Sequence, residues 1–118
     1  MRIASVSENL DIEKRIAITP EIAKKYIDLG IEVSLSKNYA THLGINDSKY
    51  SDLGVVIIDD EKEAISNADI IVQLNLPSDD KCSLIKENKT LIGILNPHSN
   101  EDKLKDLVKK NINVLSLE

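Results

Sequence analysis

A three-layer α/β/α fold, Rossmann-like or flavodoxin-like, with about six mostly parallel strands, is what this sequence predicts. Three observations lead there. Short runs of branched apolar residues alternate with segments of helical period along the whole chain. The longest of these runs, Val55-Val56-Ile57-Ile58 and Leu91-Ile92-Gly93-Ile94-Leu95, are strand-sized. The chain has no Phe or Trp and only three Tyr, so its core is expected to be Ile, Leu and Val, which suits strands buried on both faces.

The expected strands are Arg2–Val6, Glu32–Lys37, Val55–Asp59, Ile70–Leu74, Thr90–Leu95 and Asn113–Leu117. After the first, Thr19 can cap a helix with Pro20 at its first position. Ile22, Tyr26 and Leu29 form its buried face and Gly30 stops it. A short helical turn at Asp47–Leu53 closes on Gly54. Asp60 with Glu63 has capping-box spacing ahead of Ala64, Ile65 and Ala68. Ser78, Asp79 and Asp80 suit a helix start, with Cys82 and Ile85 on one face. Ser99 or Asn100 opens the last helix, Leu104, Leu107 and Val108 are its buried stripe, and Lys109 and Lys110 suit its negative end. Strand and helix in strict alternation mean a parallel sheet covered on both faces, with ligands at the C-terminal strand ends.

At 118 residues, 42% hydrophobic and 30% charged, the chain is one globular domain that needs neither metal nor disulfide to bury a core. No apolar run approaches a membrane span, and the first residues carry no signal-peptide pattern. One cysteine, Cys82, excludes an internal disulfide and fits a reducing cytoplasm. A net charge of -5 with scattered lysines argues against nucleic acid as a partner.

The search for chemistry is mostly exclusion. Gly30, Gly44, Gly54 and Gly93 are too scattered to cradle a phosphate, so no complete cofactor site is expected within the chain. His42 and His98 lack a second ligand at metal-binding spacing, so no metal site is expected. Cys82 reads as a buried inert thiol. Asp59-Asp60-Glu61 reads as capping and solvated charge. No residue stands out as catalytic. Three residues are candidates to line a cleft. Arg15, one of two arginines, lies in the loop after the first strand, where its fork can hold a carboxylate or phosphate; the alternative is an ion pair with Glu8 or Glu13. Asn75 and Asn96 each follow a buried strand in Asn-x-Pro and Asn-Pro turns, which places both at one sheet edge either as turn residues or as amides lining a pocket.

These residues also carry a resemblance. Glu13-Lys14-Arg15-Ile16-Ala17-Ile18-Thr19-Pro20 is similar to the E-x-R-V-A-x-T-P signature of alanine dehydrogenases and of the alpha subunit of proton-translocating NAD(P) transhydrogenases. Leu29-Gly30-Ile31-Glu32-Val33 resembles the family's L-G-H-E-V, and Ala68-Asp69-Ile70-Ile71-Val72 resembles its A-D-I-I-L. Ile112-Asn113-Val114 leads toward an acidic end at Glu118. In the dehydrogenases a K-V-K-E-P stretch supplies a lysine that contacts the keto acid, and a histidine on the next strand end acts as acid–base. The matching stretch here is Gln73-Leu74-Asn75-Leu76-Pro77, and Asn96 stands where the histidine would be. An amide cannot shuttle a proton near neutral pH. The resemblance therefore implies the transhydrogenase branch, in the N-terminal portion of its NAD-binding domain I.

That branch transfers hydride between NAD(H) and NADP(H) with proton translocation. The resemblance implies that residues 1–118 are the family's N-terminal domain and that the glycine-rich NAD-binding domain lies outside this chain, which makes the chain a truncated piece or a natural fragment. It implies the remaining transhydrogenase domains and the beta subunit as partners, a cytoplasmic location peripheral to the inner membrane through those partners, and compatibility with a homodimer. NAD(H) belongs to the full-length protein; none is expected on this chain alone. Two other readings stand beside it: a degenerate freestanding domain that binds a partner or small anion without catalysis, and a piece of an alanine dehydrogenase. One departure bears on the fold. The family's G-A-G turn after the second strand reads Asn38-Tyr39-Ala40 here, and Ala40 is a poor substitute wherever positive φ is needed.

Overall fold

A computed structural model describes residues 1–95 and 98–117. Six strands form one sheet: β1 (Arg2–Ser5), β2 (Glu32–Ser36), β3 (Val56–Ile58), β4 (Ile70–Gln73), β5 (Thr90–Gly93) and β6 (Asn113–Ser116). Every pairing is parallel and the order is β3-β2-β1-β4-β5-β6. That order is the Rossmann one, so the flavodoxin-like alternative falls away. It also puts the point where the strand order reverses between β1 and β4, where Ile3 pairs with Ile70 and Ala4 with Ile71.

Among the described residues five α-helices connect the strands: α1 (Pro20–Asp28), α2 (Asp47–Ser51), α3 (Glu61–Ser66), α4 (Asp79–Cys82) and α5 (Glu101–Lys109). They enclose two apolar clusters. Ile3, Val33, Leu35 and Val55 pack with Ala23 of α1 and Tyr50 of α2. Ala4, Val6, Ile71 and Leu91 pack with Ala64 and Ile65 of α3, Cys82 of α4 and Leu107 of α5.

The expected core is corrected in one respect. Tyr39 and Tyr50 are the largest fully buried side chains, packed edge to face with ring centroids 6.1 Å apart and planes at 82°. Aliphatic residues fill the rest. Burying a phenol requires a partner for its hydroxyl, and both find one. Tyr50 Oη donates to the Ile18 carbonyl at 2.9 Å, and Tyr39 Oη meets Ser5 Oγ, Ala17 N and Ile18 N at 2.9, 3.1 and 3.1 Å.

Helix ends agree only partly with the sequence. Thr19 Oγ1 accepts from Ile22 N at 3.3 Å with Pro20 first in the helix, as its residues predict. Leu29, expected on the buried face, is exposed, because α1 stops at Asp28 and the chain turns through Gly30 at φ 83°. Val108 is exposed too; Leu107 points inward, and the next residue is rotated about 100° around the axis. Asp60 caps α3 by accepting from Lys62 N at 2.9 Å rather than through the Glu63 position. Asn100 gives no side-chain cap to α5; its Nδ2 donates to the Leu95 carbonyl at 2.8 Å. Ser78 gives none to α4. After β2, Asn38 takes φ 60° while Ala40 sits at φ -127°, so the alanine meets no left-handed requirement.

Candidate functional site

Two strands that diverge in their connections leave a crevice at their C-terminal ends. Here that crevice lies between the loops following β1 and β4. A cavity of about 400 Å³ opens there, lined by Ser7, Glu8 and Asn9 from the first loop, by Asn75 and Ser78 from the second and by Lys81 of α4, among others. The β1–α1 loop supplies the chemistry, and a network of hydrogen bonds explains its shape.

The network starts in the core. Tyr39 Oη accepts from two backbone N–H groups, so its proton goes to Ser5 Oγ. Ser5 Oγ in turn donates toward the Val72 carbonyl at 2.6 Å and Gln73 Oε1 at 3.0 Å. Gln73 is buried at the end of β4 and exchanges two bonds with Val6, its Oε1 accepting from Val6 N at 2.7 Å and its Nε2 donating to Val6 O at 3.1 Å. Its second amide proton goes to Glu8 Oε2 at 2.7 Å. Glu8 then takes Leu74 N on the same oxygen at 3.0 Å and Asn75 N on Oε1 at 3.2 Å. A side chain from the β1 loop thus closes the backbone at the end of β4. Burial pushes the Glu8 carboxyl above its ordinary value, and the two backbone donors only partly oppose that.

A second carboxylate from the same loop holds the same asparagine by its side chain. Glu13 Oε1 accepts from Asn75 Nδ2 at 3.3 Å and from Arg15 Nη2 at 2.7 Å, and its Oε2 accepts from Arg15 Nε at 3.0 Å. The Arg15 fork holds Glu13 down at about 2. Of the two partners open to Arg15 in the sequence, the structure gives it Glu13, and the guanidinium is 71% exposed while Glu13 is 11% exposed. Arg15 therefore reaches Asn75 through one carboxylate. Asn96, the third candidate, lies outside the described residues. The loop is tied at its far side by His42, whose Nε2 meets the Lys14 carbonyl at 2.7 Å.

The remaining sequence candidates sit elsewhere. Cys82 is buried, its thiol donating to the Pro77 carbonyl at 3.4 Å, and burial pushes it upward. Among the described residues no group of three His, Cys, Asp or Glu is placed to hold a metal. Gly30, Gly44 and Gly54 occupy left-handed turns, and Gly93 lies against β4, so none stands at a helix N-terminus as a phosphate cradle requires. Sequence reasoning passed over Ser5, Tyr39 and Gln73, and weighed Glu8 only as a partner for Arg15. A signal did exist for Gln73: it follows Ile71 on the inward side of β4, where an amide needs a built partner.

The family model described as "Alanine dehydrogenase/PNT, N-terminal domain" matches residues 5–118. The first of the parts that make up the NAD(P) transhydrogenase subunit alpha of Rickettsia prowazekii is 34% identical over 122 residues, covering 100% of this chain and 32% of the relative. Alanine dehydrogenase 1 of Staphylococcus aureus is 26% identical over 116 residues, covering 98% of this chain and 31% of that enzyme. A transhydrogenase from Sinorhizobium meliloti shares the fold, with a TM-score of 0.91 at 22% identity over 98% of this chain and 34% of that one. The chain thus spans about a third of the length of the curated relatives it matches.

Proposed function

We propose a role that proceeds from family: the chain belongs to the alanine dehydrogenase/PNT N-terminal domain family, and it serves as the N-terminal portion of an NAD(P) transhydrogenase alpha subunit. In that role residues 1–118 are a single domain that forms one wall of a nucleotide cleft, with Arg15 and Asn75 on its rim. The glycine-rich grip on NAD(H) comes from the remaining two-thirds of the matched alpha polypeptide, and a beta subunit completes hydride exchange with NADP(H). Attachment to a membrane runs through those partners; among the described residues no helix is long and apolar enough to cross one.

One observation carries the choice between the two branches of the family. The end of β4 presents Asn75, an uncharged amide engaged by Glu13, where the dehydrogenase chemistry needs a lysine. A wall that moves no proton suits a reaction in which hydride passes between two bound nucleotides. The higher identity to the transhydrogenase relative supports the same branch.

The test is reconstitution. The chain is combined with the C-terminal two-thirds of the matched Rickettsia alpha polypeptide and its partner subunits, and hydride transfer from NADPH to an NAD analogue is followed by absorbance. Transfer that depends on the chain is the expected result. No transfer, in conditions where the relative's own N-terminal third restores it, overturns the proposal. In parallel, the chain with pyruvate, ammonia and NADH should stay at the no-enzyme rate.

A further inference from the structure

We propose that two copies of this chain pair face to face through the half of the sheet that its own helices leave bare, about a two-fold axis that runs parallel to the strands and passes beside Ile92.

The bare half follows from topology. α1 and α2 lead the chain from β1 outward to β3 and pack on β2 and β3. α4 and α5 lead it outward the other way, and right-handed crossovers put them on the opposite face, where Cys82 and Leu107 pack with Ile71 and Leu91. α3 lies on that face too, with Ala64 and Ile65 in the cluster that holds Ala4. The cluster under α1 and α2 reaches β4 only at Ile70 and Val72. Beyond them Leu74, Ile92, Ile94, Leu115 and Leu117 belong to neither apolar cluster, and Leu115 and Leu117 are 54% and 69% exposed. Register gathers them into one strip: Val72, Ile92 and Leu115 stand side by side, as do Ile70, Thr90 and Asn113.

Two observations favour a second copy as the cover. The first is charge. Thr90 and Asn113 are the polar members of the strip, and among the described residues no charged one stands in it. A chain of net charge -5 therefore meets its copy here without like charges opposed. The second is shape. A layer of helices stands about 10 Å above a sheet, and two sheets also pack about 10 Å apart. The α1–α2 layer beside the strip is thus a step of the height that is complementary to itself under this two-fold axis. Each copy's strip lies on the other's, and each copy's helical layer drops past the other's β6. That edge strand, Asn113–Ser116, carries no charge or proline to keep a neighbour off. Pairing edge to edge would instead double the strip and leave it open to water.

Three strands about 4.8 Å apart and three residue rows about 7 Å apart make a strip of about 14 by 20 Å. With its rim that is a small interface, so half of the chains should be paired at a concentration on the order of 10–100 μM. Ile92, in the middle strand and the middle row, meets Ile92 of the other copy at the axis.

Sedimentation velocity of the chain from about 5 to about 500 μM reads the pairing, and the average mass should climb from one chain toward two. Ile92→Glu and Ile92→Lys should each raise the dissociation constant at least about tenfold. An equimolar mixture of the two should pair again, which misfolded variants would not do. Leu115→Glu, at an exposed position, should weaken pairing as well, while Val108→Glu on α5 should leave it unchanged; circular dichroism checks that each variant is folded. A dimer that survives both Ile92→Glu and Leu115→Glu, or a charge-paired mixture that stays monomeric, overturns the inference. A chain that stays monomeric to the top of the range overturns it too, whether or not the rest of the matched alpha polypeptide then binds the strip.

Discussion

Replacing Gly93 with alanine should destabilise the domain more than any other single-methyl addition along the sheet. Gly93 pairs with Gln73 across β5 and β4, and a Cβ built on it would lie 2.2 Å from the Gln73 carbonyl oxygen and 3.1 Å from its carbonyl carbon. Ordinary carbon–oxygen contact is about 1 Å longer, and the obstacle is backbone, which cannot swing aside as a side chain would. The strands must part. Next to the clash, Ile94 N donates to Leu74 O at 3.1 Å and Leu117 N donates to Gly93 O at 2.9 Å. Weakening two such bonds costs about 1 kcal/mol each, and forcing a methyl into a packed core adds about 1–3 kcal/mol. The total is about 3–5 kcal/mol, against a domain stability on the order of 5–15 kcal/mol. Urea denaturation of both proteins, followed by circular dichroism, gives the difference directly. A loss below about 1 kcal/mol would refute the argument that β4 and β5 lie this close at the end that carries the site.

Three further outcomes are expected. Tyr39→Phe strands the N–H groups of Ala17 and Ile18 and should cost about 2–4 kcal/mol in the same assay, whereas Tyr50→Phe leaves one carbonyl without its donor and should cost about 1–2 kcal/mol. Glu13 is held at about 2 against an ordinary 4.5, so its contribution is complete above pH 4.5 and disappears as pH falls through about 2. In Arg15→Ala the Glu13 carboxyl should titrate nearer 4.5 by carbon-detected NMR; an unchanged midpoint would mean that another group holds it. Calorimetric titration of NADH into the chain alone should show no saturable binding below millimolar concentrations, since one charge-assisted contact of about 1.5–3 kcal/mol falls short of the roughly 8 kcal/mol of a micromolar complex.

The strands and most turns were legible because each has a local cause: branched runs, a Thr-Pro start, glycine stops. Strand order was not. Parallel crossovers leave open which neighbour β4 joins, and the pairing of Ile70 with Ile3 is written in packing across the whole chain. Leu29 and Val108 were misplaced because a period-3.6 pattern does not say where the helix stops or how far its neighbour reaches. The site was less legible still. Arg15 and Asn75 stood out singly, but the carboxylates that join them act across the β1–β4 junction; Glu8 meets residues more than sixty positions away. Tyr39 was hidden for the same reason, since a tyrosine can be buried only where Ser5 and the Ala17–Ile18 backbone come to its hydroxyl.

The pair of buried tyrosines also decides what light can report about this molecule. Tyr26, Tyr39 and Tyr50 are its only aromatic residues, and all three pack in the cluster beneath α1 and α2. The opposite cluster, beneath α3, α4 and α5, holds aliphatic side chains and Cys82 and is optically silent. Tyrosine emission and near-ultraviolet dichroism therefore watch one face of the sheet, while far-ultraviolet dichroism watches the helices on both. Coincident melting by the two signals means that the faces unfold as one cooperative unit. A tyrosine transition that runs ahead of the helical one would show the β1–β3 side loosening while α5 still holds, without any label being attached.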